Sequence, residues 1–244
     1  MRANSAAVLA ASFVLAAGTA AAQQKGSCVD CHQRLRADVA IRHDYADWHK
    51  SPHAAAAVNC EACHGGDASA TDKDAAHKGV LRSSDPNSRI YFTQTPQTCG
   101  TCHAAELAAF RGSSHFKELQ ASGKGPSCVT CHGSMANVVL GSKELGDTCT
   151  LCHRKPAAAM AARRDLDASG AMVRSLGSAL KKAREAGAAE LAPQEKAYRE
   201  IVELQRTMVV RWHAFKVQEL NASNRELKRR VTALQSELKL KSPK

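Results

Sequence analysis

The residues with the clearest chemistry are the ten cysteines, which all belong to one repeated pattern, Cys-x-x-Cys-His. In this spacing, two thiols can add to the vinyl groups of one haem while the adjacent imidazole binds the iron from the proximal side. The pattern predicts five covalently bound haem c groups. The five motifs, numbered in chain order, are Cys28-x-x-Cys31-His32, Cys60-x-x-Cys63-His64, Cys99-x-x-Cys102-His103, Cys128-x-x-Cys131-His132 and Cys149-x-x-Cys152-His153.

Zinc sites and disulfides are the other common uses of paired cysteines, and both explain the pattern less well. A zinc site would use two Cys-x-x-Cys pairs per metal, so that five pairs would leave one over. An exported chain with an even number of cysteines would ordinarily suggest disulfides. Neither use requires a histidine after every second cysteine.

The remaining histidines decide what the haems can do. Iron bound by two side chains transfers electrons, whereas iron with one open position can react with a small molecule. Six histidines lie outside the motifs, which is enough for five irons, so the sequence favours electron transfer. These six are His43, His49, His53, His77, His115 and His213.

Part of the chain repeats itself ahead of the second and fourth motifs. The segments 48–53 and 110–115 both read aromatic-x-x-Ser-x-His, ending at His53 and His115. Both downstream motifs are followed by glycine, at Gly65 and Gly133. This arrangement indicates a duplicated unit that binds a pair of haems.

With these features, the stretch from Cys28 to His153 resembles the superfamily of multihaem cytochromes c that includes the tetrahaem cytochrome of nitrification, hydroxylamine oxidoreductase and related reductases. The resemblance implies distal ligation by His53 and His115, and by His77 downstream of the Cys-His-Gly turn. These proteins often place a further histidine shortly after that turn. Here Met135 occupies that position. Two interpretations are open: Met135 binds the iron through its thioether, or it packs against a porphyrin face.

Two assignments depend on local context. Arg111 stands in the second repeat where His49 stands in the first, which favours His43 over His49 as the remaining upstream ligand. His213 follows Trp212 on a predicted apolar helix face, four residues after Val209. We expect His213 to be a distal ligand, with a core histidine as the alternative.

The first residues predict export. Arg2, the apolar stretch Ala6–Ala17 and the alanines before Gln23 are typical of a signal peptide cleaved after Ala22. The apolar stretch is shorter than the roughly 20 residues that span a bilayer, which argues against an uncleaved anchor. The sequence thus predicts a periplasmic protein with a leader (1–22), a pentahaem domain (23–156) and a C-terminal helical hairpin (157–244).

The C-terminal region has helical periodicity. One helix is predicted from about Ala158 to Ala186, and a second from Pro193 almost to the C-terminus. Within the second helix, the heptad stripe Leu220, Asn224, Leu227, Val231, Leu234 and Leu238 is typical of a coiled coil. Its partner is either the first helix of the same chain or a helix of another molecule, in a homodimer or a membrane complex.

Composition sets the fold class. Aromatic residues make up 4% of the chain, and large aliphatic residues are scarce between Cys28 and His153, so the haems themselves must fill the core of this region. We therefore expect a mainly α fold with little regular sheet, unfolded before haem attachment.

The charge balance argues against nucleic acid as a partner. The formal charge of +11 is offset by the propionates of five haems, about ten negative charges. The residues after Pro156 keep an excess, with eighteen Lys or Arg against ten Asp or Glu. One interpretation is that this excess of positive charge steers acidic redox partners or binds anionic lipid headgroups. The alternative is that it is only the solvated surface of the helices.

These features predict a periplasmic electron carrier between a redox protein donor and a redox protein acceptor. The alternative is a small reductase of nitrogen or sulfur oxyanions with one open-site haem lined by His43 or His49. Every motif ends in histidine, without the lysine-ligated variant that resembles nitrite-reducing sites.

Overall fold

The computed structural model describes residues 27–34, 45–154, 156–188 and 190–241, and within these ranges all regular secondary structure is helical. The predicted mainly α fold is confirmed. None of the described helices combines the length and apolar character needed to cross a bilayer. The predicted leader, His43 and the last three residues lie outside the described ranges.

The motif region consists of ten short helices among the described residues. In chain order they are α1 (Ser27–His32), α2 (Tyr45–His49), α3 (Pro52–Ala55), α4 (Cys60–His64), α5 (Lys73–Ala76), α6 (Thr95–Gly100), α7 (Ala104–Arg111), α8 (Ser114–Ser122), α9 (Cys128–His132) and α10 (Ser142–Cys149). Turns join them, and α6 contacts α7 and α9, while α9 contacts α10. Few hydrophobic side chains in this region are buried.

Three long helices form the C-terminal region: α11 (Ala157–Glu185), α12 (Ala192–Trp212) and α13 (Val217–Lys241). The helices α11 and α12 form the predicted hairpin, because Gly170 lies beside Gln205 and Arg184 near the turn pairs with Glu195. Gly187 adopts a left-handed conformation (φ +76°) just past the end of α11, which suits a glycine at this position.

The prediction that one helix runs from Pro193 to the C-terminus is wrong, because the chain breaks between α12 and α13. The backbone N–H groups of His213, Ala214 and Phe215 donate to carbonyls three residues earlier, and Phe215 has φ +57°. Residues 213–216, called the corner below, contain neither glycine nor proline. The chain turns here because α13 can then pack on both α11 and α12, and such burial outweighs helix propensity.

The predicted heptad stripe is confirmed as the buried face of α13, and it packs within the same chain. Leu227 and Val231 are fully buried, and Asn224 accepts a hydrogen bond from the Ser169 hydroxyl of α11 (2.8 Å). The stripe joins residues of α11 and α12, among them Leu176 and Met208, in one apolar cluster. Two partners were predicted for the stripe, a helix of the same chain and a helix of another molecule. In the structure the stripe packs against helices of the same chain.

Candidate haem sites

Each motif forms about one turn of helix. The first, second and fourth motifs lie on α1, α4 and α9, whereas the third and fifth begin at the ends of α6 and α10. Even there, the N–H groups of His103 and His153 donate to the carbonyls of Cys99 and Cys149, as in a helical turn (2.9 and 3.0 Å). Residues at i, i+3 and i+4 share one helix face, so each turn presents two thiols and one imidazole together.

Gly65 and Gly133 end α4 and α9 in the same way. Both have positive φ (+78° and +76°), and both donate their N–H groups to the carbonyl four residues earlier, at Glu61 and Val129. This conformation favours glycine, which explains why Gly follows both motifs in the sequence.

Consecutive motifs lie beside one another. Before haem attachment, burial followed by the charge of nearby Cys28 raises the pKa of the Cys60 thiol to about 11. A hydrogen bond from the Cys128 thiol lowers the pKa of Cys99 to about 7. Electrostatic interactions also link Cys63 with Cys99 and Cys131 with Cys149. The attachment points therefore follow one another in chain order.

Four proximal histidines face a second histidine ring in the described residues. The centroids of the two rings are 5.7 to 6.1 Å apart in all four cases. The pairs are His32 with His77, His103 with His53, His132 with His213, and His153 with His115. All four distal partners are histidines that the sequence had proposed as distal ligands.

These pairs have the donor set for a six-coordinate haem iron, and one of them has nitrogens close to the separation that such an iron requires. Imidazole bonds to a first-row metal such as zinc are about 2.0–2.1 Å, so two nitrogens on opposite sides of one ion lie about 4 Å apart. The Nε2 atoms of His115 and His153 are 3.4 Å apart in the polypeptide alone. Burial is the main cause that lowers the pKa of His115 and of His213, which favours the neutral form of each ring that binds a metal.

Several of these rings are oriented by a hydrogen bond at the other nitrogen, as metal-binding histidines usually are. The Nδ1–H groups donate to oxygen acceptors in four cases. These are His77 to the Lys73 carbonyl (2.7 Å), His53 to Asn137 Oδ1 (2.9 Å), His132 to the Val138 carbonyl (2.8 Å), and His213 to the Val209 and Val210 carbonyls (both 3.2 Å). Donation from Nδ1 leaves the Nε2 lone pair for iron.

The duplicated sequence forms a duplicated local structure. Ser51 and Ser113 are buried N-caps of α3 and α8, with nearly equal backbone angles (φ −74°, ψ 156° and φ −84°, ψ 157°). The serine hydroxyls accept from the N–H groups of Ala54 and Phe116. Each cap places the histidine two residues after the serine, His53 or His115, in the first helical turn. Each of these histidines precedes one motif in the chain but faces the histidine of the motif after that one.

The second motif has the least defined pairing. His64 ends α4 and is half-buried, and His49 ends α2 and is exposed. Met135 is half-buried in the turn after the fourth motif. Because His132 already faces His213, the structure favours the packing role for Met135.

His213 lies at the end of α12 and not within a continuous helix. Val209, which was predicted to share its apolar face, is 43% exposed, whereas Met208 and Trp212 are buried. The buried face of α12 is therefore offset by one residue from the predicted one.

Sequence reasoning missed two residues that orient distal histidines. Asn137 (φ +45°) holds His53 from the loop after the fourth motif, and Phe215 packs against His115 with ring centroids 4.4 Å apart. Both have positive φ, which is uncommon outside glycine and which no pattern in the sequence signals. For Phe215, an aromatic residue two positions after a candidate ligand was the available hint.

Comparison with known proteins supports the class that these sites define. A family model described as cytochrome c554 and c-prime matches residues 4–65, which contain the first two motifs. No curated protein and no solved structure matches the chain. The family match, which covers about a quarter of the chain, supports at the coarse level a multihaem c-type cytochrome with covalently bound haem c that functions in electron transfer.

Proposed function

We propose that the protein carries five haems, each with two histidine ligands, and relays electrons between redox partners in the periplasm. The donor would be linked to the quinol pool and the acceptor would be a terminal reductase. The observation that carries the proposal is the facing of four proximal histidines by four distal ones. Iron with both axial positions filled exchanges electrons without binding a substrate.

The order of the motifs supports a linear path. Each of the first four motifs has a cysteine that interacts electrostatically or by a hydrogen bond with a cysteine of the next motif, from Cys28 and Cys60 to Cys131 and Cys149. Haems attached at neighbouring cysteines lie close together, so an electron entering at the first haem can pass through each in turn to the fifth.

For the second haem, we propose His43 as the distal ligand. The other four spare histidines outside the motifs face proximal histidines of other motifs, so the ligand for His64 comes from His43 or His49. His49 has no counterpart in the second repeat, which favours His43.

The C-terminal helices give the molecule a basic region for partners. Lys and Arg exceed Asp and Glu by eight after Pro156, whereas haem propionates would offset the charge elsewhere. We propose that these helices steer acidic redox proteins, or bring the haems to a membrane complex with anionic headgroups. A homodimer would have to use the outer faces of the bundle, because the heptad stripe is buried.

Mass spectrometry and low-temperature electron paramagnetic resonance of the oxidised holoprotein test the proposal. We expect the mass of the chain from residue 23 with five haems, and low-spin ferric signals only. A mass with fewer haems contradicts the count. A substantial high-spin signal would instead favour a reductase with an open-site haem.

The ligand of the second haem is tested by a matched pair of variants. We expect His43→Ala to produce a high-spin ferric signal from one haem, and His49→Ala to leave the spectrum low-spin. The reverse result would assign His49.

A further inference from the structure

The distal histidines differ in what holds their outer nitrogen. The Nδ1 groups of His53, His77 and His213 each donate to an oxygen atom. His115 is the exception, because its Nδ1 is buried and no atom of the described residues accepts a hydrogen bond from it. The fifth haem therefore has a distal ligand in a different environment from those of the first, third and fourth haems.

Phe215, at the corner between α12 and α13, packs against His115. Its ring stands nearly perpendicular to the His115 imidazole (81°), with centroids 4.4 Å apart. It also packs on Trp212 (5.9 Å), which is buried and lies under the Arg163 guanidinium. An apolar ring thus covers His115 and is itself fixed by the bundle.

The backbone at Phe215 supports a functional reason for its position. Its φ of +57° lies in the left-handed region, which bulky side chains rarely adopt and which Asn adopts more readily. Strained residues of this kind cluster at functional sites. The same corner supplies His213 to face His132, so one turn of chain serves both the fourth and the fifth haem.

A hydrogen bond from Nδ1–H to an acceptor makes an imidazole a stronger donor to its metal, and such bonding tunes the reduction potential of haem iron. A histidine ligand without this hydrogen bond stabilises ferric iron less, which raises the reduction potential of its haem. We propose that Phe215 is a positioning residue that keeps hydrogen-bond acceptors from His115 and thereby gives the fifth haem the highest potential of the chain.

The consequence for electron transfer is directional. Ferrous iron of the fourth haem gives one electron to ferric iron of the fifth, becoming ferric as the fifth becomes ferrous. Electrons would then collect at the last haem in the motif order, the point of delivery to the acceptor. This inference rests on the proposed ligation of the fifth haem by His153 and His115.

Spectroelectrochemical titration of the Phe215→Asn and Phe215→Leu holoproteins tests the inference. Asn fits the left-handed conformation and offers a carbonyl to His115 Nδ1, so we expect the highest of the five potentials to fall by a tenfold change in equilibrium constant, about 59 mV for one electron. Phe215→Leu removes the ring but adds no acceptor, so we expect it to lower that potential by less than half as much. Equal shifts in both variants, or no shift in Phe215→Asn, would overturn the proposal.

A second measurement needs no substitution at Phe215. In His115→Ala, the haem that becomes high-spin should be the one reduced first in the wild-type titration. If no haem becomes high-spin, the proposed ligation fails. If one haem becomes high-spin, but the haem that was reduced first in the wild type keeps its potential and its low-spin signal, the proposed ligation stands and the proposed role of Phe215 is wrong.

Discussion

Residues 27–154 and residues 157–241 are both helical, yet they bury apolar surface in different ways. The longest described helix of the first region has nine residues, whereas those of the second have 21 to 29. Of the 21 hydrophobic residues that are buried in the described part of the chain, sixteen lie in the second region and five in the first. The second region makes a core from its own side chains. Short helices gain most of their stability from packing, so we expect the first region to need its haems as a core.

The largest expected effect separates the two regions by removing the haems. With all ten cysteines replaced by serine, we expect residues 27–154 to lose protection from amide hydrogen exchange, and residues 157–241 to keep slow exchange. The reason is that the apolar cluster of the bundle requires no cofactor. Hydrogen exchange with mass spectrometry measures both regions in one sample. Native-like protection in residues 27–154 would contradict the comparison.

Next in size is the loss of His213, the proposed ligand that the second region supplies to a haem of the first. We expect His213→Ala to make one haem high-spin and able to bind carbon monoxide after reduction, because the iron at His132 loses its distal imidazole. Val209→Ala, one turn earlier and 43% exposed, is the matched control and should leave the spectrum unchanged. An entirely low-spin His213→Ala protein would show that His213 is only a core residue.

A smaller effect is expected inside the bundle. Leu227 is fully buried, so Leu227→Ala should lower the free energy of unfolding by about 2–5 kcal/mol. Denaturant unfolding of the holoprotein, followed by circular dichroism, measures this loss. Val202→Ala, at an exposed site of α12, should change the same free energy by less than about 0.5 kcal/mol. Equal effects at both sites would contradict the burial of the stripe.

The smallest effect concerns the polar pair within the bundle. Ser169 donates to Asn224 in a buried position, and Asn224 Nδ2 has no hydrogen-bond partner among the described residues. The double variant Ser169→Ala with Asn224→Leu should change the free energy of unfolding by no more than about 1 kcal/mol, because replacing both partners of a hydrogen bond by apolar residues is nearly neutral. Ser169→Ala alone should cost more, because it leaves Asn224 unsatisfied.

Light scattering of the same double variant shows whether the pair also controls association. A polar residue in a heptad seam can specify the oligomeric state. A monomeric wild type that associates when Asn224 is replaced would assign this role to the pair.

The repeats show how much of the site the sequence predicted. The aromatic-x-x-Ser-x-His pattern, through the resemblance to multihaem cytochromes, predicted His53 and His115 as distal ligands, and in the structure the serine of each copy caps a helix within three residues. It did not predict that His53 faces His103 or that His115 faces His153, 50 and 38 residues away. These pairings depend on the path of the chain between the motifs.

The C-terminal region shows the same limit for the fold. Periodicity predicted the buried faces of α11 and α13, since apolar residues three and four apart share a helix face. It missed the corner at residues 213–216, because no local residue forbids a continuous helix there. Burial of the stripe against two other helices decides the break, and periodicity along one chain carries no information about that burial.

By itself, the sequence determined the helical class, and it predicted the attachment cysteines, the proximal histidines and the set of histidines from which distal ligands would be drawn. Each of these depends on chemistry within one or two helical turns. Only the tertiary structure decided which histidine faces which motif, that Asn137 and Phe215 hold two of the rings, and that α13 turns back on the bundle. These features join residues far apart in the chain, and their energies arise from contacts that exist only once the chain has folded.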